Sequence, residues 1–135
     1  MKKCIAILAL LICVMVGTVS ASARTWSTGS MTGTIGKYKV VMSLSVNESN
    51  KTVSGWYYYR SKGPKNKINL SGTYRDSSGS AVILEMDMKE KTGGKVTGYF
   101  DVTYSQYMGE ISLDGDFTTS AGKRYTVNLS LIHIS

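Results

Sequence analysis

The sequence predicts an all-β protein, an antiparallel meander of about eight strands forming a small closed or nearly closed barrel. Three observations carry this expectation. Apolar and polar residues alternate with period two, turn residues recur every eight to twelve positions, and no window sustains a period of 3.6. Glycines also recur at inward strand positions, where a flat sheet has no use for them.

The chain begins differently. Lys2 and Lys3 precede the uncharged apolar run Ile5 to Val16, and Ala21-Ser22-Ala23 supplies small residues for cleavage. Residues 1–23 therefore read as an export signal, which places the mature chain in the periplasm or outside the cell. The run is too short to span a bilayer, so no transmembrane segment is expected after cleavage. Cys4 and Cys13 leave with the signal, and thiol or disulfide chemistry leaves with them. Of 16 Lys and Arg, 14 remain against 9 Asp and Glu, a net charge of +5 that favours anionic partners mildly.

The alternation assigns faces. Met31 and Ile35 lead an inward set that continues through Tyr38, Val40, Met42, Leu44 and Val46 to Val53, Tyr57 and Tyr59. It goes on through Ile68, Leu70, Tyr74, Val82, Leu84, Met86 and Met88. Val96, Phe100, Val102, Ile111, Leu113, Phe117, Tyr125 and Val127 complete it. Thr73, Arg75, Glu85, Asp87, Thr97, Asp101, Asp114 and Asp116 belong to the outward set. One buried and one wet face is the antiparallel pattern.

VSGWYYY and VTGYFDV lie 43 positions apart, and INLSGTY matches ISLDGDF at the same offset, so a three-strand unit occurs twice. MTGTIGKYKVVMSL resembles its last two strands, which makes eight in all. Gly33, Gly55, Gly72, Gly98 and Gly115 all carry inward parity. Inward glycines let strands coil sharply under a covering neighbour, which favours closure over an open curled sheet.

Copy one leaves its last strand through the polar Asp87-Met88-Lys89-Glu90. Copy two ends in LSLIHIS, residues 129–135. All seven residues resemble one reading frame of the transposase adapter used in sequencing libraries. The barrel domain is accordingly expected over 24–128, with an adapter-derived tail and a native ending not represented. His133, the single histidine, then has no role, and neither Ser/His/Asp catalysis nor an ordinary zinc site is expected.

Four acids, Asp101, Glu110, Asp114 and Asp116, could serve a hydrolase in principle. On an outer barrel wall they read as a solubilising face, and calcium-loop spacing is missing. No catalytic residue, metal or cofactor is assigned. The stronger candidate is SGWYYYRSKGPKNK. Trp56, Tyr58 and Arg60 share outward parity, while Lys62, Lys65 and Lys67 crowd the following turn and Arg75 lies on the next strand. Symmetric pairing about the turn sets Trp56 beside Ser71 and Tyr58 beside Asn69. Tyr99 holds the equivalent aromatic position in copy two, beside Asp101 rather than Arg60. Such a strip suits a sugar or apolar ring carrying an anion.

GTIGKYKVVMSLSV, VSGWYYY, INLSGTY, GKVTGYF and ISLDGDF together resemble a group of small exported bacterial proteins, largely uncharacterised, with GxIGxYxVxMxL, VxGxYYY and repeated LxG segments. The resemblance covers Met31 to Val127 and implies a strand pattern, not an activity. Lys39 stands where typical members carry proline. The expectation is thus an exported, monomeric, non-enzymatic barrel, similar in general shape to lipocalin-type barrels, that binds a ligand or protein outside the cytoplasm, with an anionic or glycan surface as the candidate, and not nucleic acid. A structural, envelope-associated role without a small-molecule site is the alternative, and a carboxylate hydrolase a remote one.

Overall fold

The computed structural model describes residues 24–77 and 82–132. The expected signal, the segment 78–81 and His133 lie outside them. Eight strands follow in chain order: β1 (Thr25–Ile35), β2 (Tyr38–Asn47), β3 (Thr52–Tyr59), β4 (Ile68–Ser77), β5 (Val82–Thr92), β6 (Lys95–Tyr107), β7 (Glu110–Thr119) and β8 (Arg124–Ile132). Each pairs with the next, and β8 returns to β1, so the meander is a closed barrel. The seam aligns Gly33 with Leu129 and Ile35 with Val127, antiparallel.

β8 therefore continues beyond Asn128. Leu129 is fully buried and lies opposite Leu113 on one side and Gly33 on the other. Whatever its origin, the part Leu129 to Leu131 of the stretch that resembles adapter sequence keeps the alternation of a barrel strand and helps close the wall.

Alternation places the core as expected. Met31, Met42, Leu44, Tyr57, Met86, Phe100 and Leu113 are at most 1% exposed. An eight-stranded barrel is just wide enough to be filled by such side chains, and here it is, so the larger concavities open at the two ends. Four inward assignments or omissions need correcting. Tyr38 and Val82 have inward parity but lie at strand ends beyond the packed interior, 49% and 46% exposed. Tyr104, left out of the inward set, is fully buried. Glu90, read as part of a polar exit, is 7% exposed because β5 runs on to Thr92 with Glu90 on the inward parity of Leu84, Met86 and Met88.

The inward glycines are sites of close approach. A Cβ on Gly33 would lie 2.6 Å from Leu129 Cα and nearer still to the Asn128 carbonyl oxygen. Gly55, Gly72 and Gly115 meet neighbouring backbone in the same way, whereas Gly98 lies under the Phe117 ring. The chain is pinched where it coils, and glycine is what permits the pinch.

Candidate functional site

In a meander, alternate hairpins share an end. The connections β1–β2, β3–β4, β5–β6 and β7–β8 thus gather at one mouth of the barrel. The longest of them is well tied. Lys62 and Gly63 donate backbone N–H groups to Tyr59 O at 2.8 and 3.1 Å, and Asn66 Nδ2 donates to Lys62 O at 2.6 Å. Gly63 at its centre takes φ +85°, a conformation natural to glycine.

Inside this mouth the rings form a bowl. Tyr38 and Tyr59 meet edge to face at 6.1 Å on one side, and Phe117 and Tyr125 stack at 6.5 Å on the other. Tyr57 and Phe100, both buried, back these rings from the core, with Tyr57–Tyr59 at 5.6 Å, Tyr57–Phe100 at 5.5 Å and Phe100–Phe117 at 4.5 Å. Gly36 lets the Tyr125 ring lie against the first turn, since a Cβ there would be 2.9 Å from Tyr125 Cδ1. The concavity measures about 310 Å³, and Ile35, Ser61, Lys62 and Thr119 complete its lining. Rings at these separations favour one another by roughly 0.5–1.5 kcal/mol per pair beyond burial, which preorganises the bowl.

Beneath the rings lies a buried carboxylate. Tyr57 donates its hydroxyl to Glu90 Oε1, and Thr97 Oγ1 donates to Glu90 Oε2 at 2.6 Å. A register shift after Glu90 pairs Lys91 with Val96 and leaves Thr97 as the extra residue. That bulge turns the Thr97 hydroxyl toward Glu90, where simple alternation put it outward. Burial, reinforced by the Glu90 and Tyr59 contacts, holds the Tyr57 phenol far above its ordinary range. Burial also pushes Tyr59 up, with its Tyr57 contact offsetting part of the shift. Tyrosine hydroxyls thus link the bowl to the carboxylate.

The mouth is ringed by cations. Lys37 and Lys39 flank the first turn; Arg60, Lys62, Lys65 and Lys67 occupy the second connection. Lys91 and Lys95 bracket the third turn, and Lys123 and Arg124 close the fourth. All are exposed, and no Asp or Glu occurs in these connections or within two residues of them. At the far end Arg24 pairs with Glu48 at 3.7 Å, Lys51 pairs with Asp76, and nearby Arg75 meets Glu85 at 2.9 Å. Among the described residues these are the ion pairs, and none involves the collar.

The far end holds a second concavity, about 340 Å³, where Trp26 leans on Tyr104 at 5.6 Å and donates its indole N–H to Glu48 at 2.7 Å. Its indole donor is already satisfied, and the neighbouring lining at Val82 borders the undescribed segment.

The outward strip divides between these features. Trp56 pairs with Asn69 rather than Ser71, because the β3–β4 pairing ends at Tyr57–Ile68. Its ring stacks beside Tyr58 at 5.9 Å and carries Lys67 Nζ at 4.2 Å, so one face is already covered by a cation of the same hairpin. Lys62 alone of the strip lines the bowl, while Arg60, Lys65 and Lys67 belong to the collar. Arg75 is held by Glu85 toward the other end, and Tyr99, on β6, lies three strands round the wall from Trp56. The acids Asp87, Asp101 and Asp116 lie directly opposite one another across β5, β6 and β7 on the outer wall. Among the described residues no group of three His, Cys, Asp or Glu is arranged to hold a metal ion.

Comparison with protein-family models, curated proteins and solved structures finds no match.

Proposed function

We propose that the chain is an exported, non-enzymatic binding module that holds its ligand at the aromatic mouth of the barrel. The observation that carries this reading is the 310 Å³ bowl walled by Tyr38, Tyr59, Tyr125 and Phe117 with Lys62 at its edge. A filled interior leaves no room for an enclosed ligand, but a ring or short apolar segment fits between the tyrosines while its anionic group meets Lys62. The outer Trp56 strip supports a glycan site less well, because Lys67 already covers Trp56.

Titration with anilinonaphthalene sulfonate, an aromatic anion, tests this. Saturable fluorescence enhancement is expected, with the Kd raised about tenfold or more by Tyr59→Ala and by Tyr125→Ala, and by less than about twofold by Trp56→Ala. Near-ultraviolet circular dichroism checks that each variant stays folded. Binding unchanged by both tyrosine substitutions, or abolished by Trp56→Ala alone, would overturn the assignment.

A further inference from the structure

We infer that the mouth end of the barrel is a docking face for an anionic lipid surface, independently of what occupies the bowl. Three observations converge. All four connections at this end carry or are flanked by exposed Lys or Arg and contain no carboxylate, the acid nearest them being the buried Glu90, whereas the ion pairs lie toward the opposite end. The molecule is therefore an electrical dipole along its axis, and a negative plane turns the collar toward itself. The acidic row at Asp87, Asp101 and Asp116 lies on the wall below the mouth and offsets the collar only in part. Asp116 is diagonal to Arg124 across β7 and β8, whereas Asp101 is six residues from Lys95, roughly 20 Å of strand and beyond a screening length of about 8 Å.

The shape selects a plane over a polymer. The cations form a ring distributed over four loops rather than a track along one groove, so all can meet a flat surface together. Tyr38 stands half-exposed at the rim with Lys37 Nζ 5.6 Å from its ring centre, the amphipathic ring and cation that suit a headgroup layer. The loop tips are Gly36-Lys37, Gly63-Pro64, Gly93-Gly94 and Ala121-Gly122, with no large apolar residue to insert. The outer wall carries Arg75, Glu85, Asp87, Lys89 and Asp101 while the interior is apolar, the inverse of a membrane-spanning barrel. No described helix is long and apolar enough to cross a membrane. The docking is peripheral and electrostatic, with each basic residue near the surface contributing about 1 kcal/mol.

The test is cosedimentation of the protein with vesicles of phosphatidylcholine and phosphatidylglycerol, against phosphatidylcholine alone. Partitioning is expected only with phosphatidylglycerol and is expected to fall steeply with added salt. The combined variant Lys37→Glu, Lys65→Glu, Lys95→Glu and Lys123→Glu, one change per loop, should lower the partition coefficient at least about 100-fold. Arg75→Gln should change it by less than about twofold. Lys62 is left intact, and binding in the bowl of the uncharged probe N-phenyl-1-naphthylamine, which the reversed charges do not repel, should persist, so the two readings fail separately. No partitioning at low salt, or partitioning indifferent to the fourfold reversal, overturns the inference. So does binding of the collar to soluble polygalacturonate without any binding to vesicles, which would assign the end to an acidic glycan.

Discussion

Gly33→Ala is expected to cost at least about 3 kcal/mol, the upper part of the usual range for overpacking. The reason lies in what the new methyl group would meet. It would lie 2.8 Å from the Asn128 carbonyl carbon and 2.6 Å from Leu129 Cα, both backbone atoms of the strand that closes the barrel. A side chain can rotate away; a paired strand cannot, so relief requires opening the β1–β8 seam. That seam is also the one with the fewest register pairs, from Thr32–Ser130 to Ile35–Val127. A fall in Tm of roughly 12 °C or more should follow, since each kcal/mol moves a domain of this size by about 4–8 °C. Two controls sharpen the result. Gly98→Ala would place its methyl 2.5 Å from Phe117 Cζ, a side-chain atom, so Phe117→Leu in the same chain should restore part of the loss. Gly63→Ala meets nothing within 4 Å but retains φ +85°, so only conformational strain of about 1 kcal/mol is expected. Equal losses at all three positions would mean that close approach is not what selects glycine.

Much of this architecture is legible in the residues, and the exceptions have physical causes. Strand faces follow from alternation because the interior is apolar and the wall polar, and the inward glycines announce the coiling. Tyr38 and Val82 obey the same parity but lie past the ends of the packed core, where parity no longer implies burial. Glu90 shares the parity of Met86 and Met88, yet its charge argues for a strand exit. Its burial becomes intelligible only when Tyr57, 33 positions earlier, and Thr97 across the bulge supply donors. Trp56 shows the limit of symmetry, because a connection from Arg60 to Lys67 does not centre the pairing where its sequence midpoint falls. The cationic collar is hidden by reading charge copy by copy, which makes copy one basic and copy two acidic. Reading it by hairpin end unites Lys91, Lys95, Lys123 and Arg124 with the basic β3–β4 loop.

The buried carboxylate makes the second large prediction. Tyr57→Phe should destabilise the barrel by roughly 2–3 kcal/mol, because the ring still fills its place while the buried Glu90 acceptor loses one of its two donors. If the penalty is an orphaned acceptor and not lost packing, adding Glu90→Met should recover most of it, since removing both partners leaves nothing unsatisfied but the Thr97 hydroxyl. Thr97 has Thr92 Oγ1 at 3.2 Å and partial access to water, so that remainder should be small. Urea unfolding of the two variants separates these terms; a double variant as unstable as Tyr57→Phe would locate the cost in packing. The same hydroxyl has an alkaline signature. Its folded-state pKa is raised, mainly by burial, above the ordinary phenol value of 10.0. The native state therefore keeps a proton that the unfolded state has lost once pH exceeds that value. Stability from this group is complete below about pH 10 and declines above it, by as much as about 1.4 kcal/mol per pH unit. Burial raises Tyr59, Tyr74 and Tyr104 as well, so the decline should steepen as several phenols contribute together. Tyr57→Phe removes the most strongly held of these protons, and its urea midpoint should fall less steeply with pH than that of the parent. Parallel slopes would show that the Tyr57 hydroxyl is not protonated against solvent in the folded barrel.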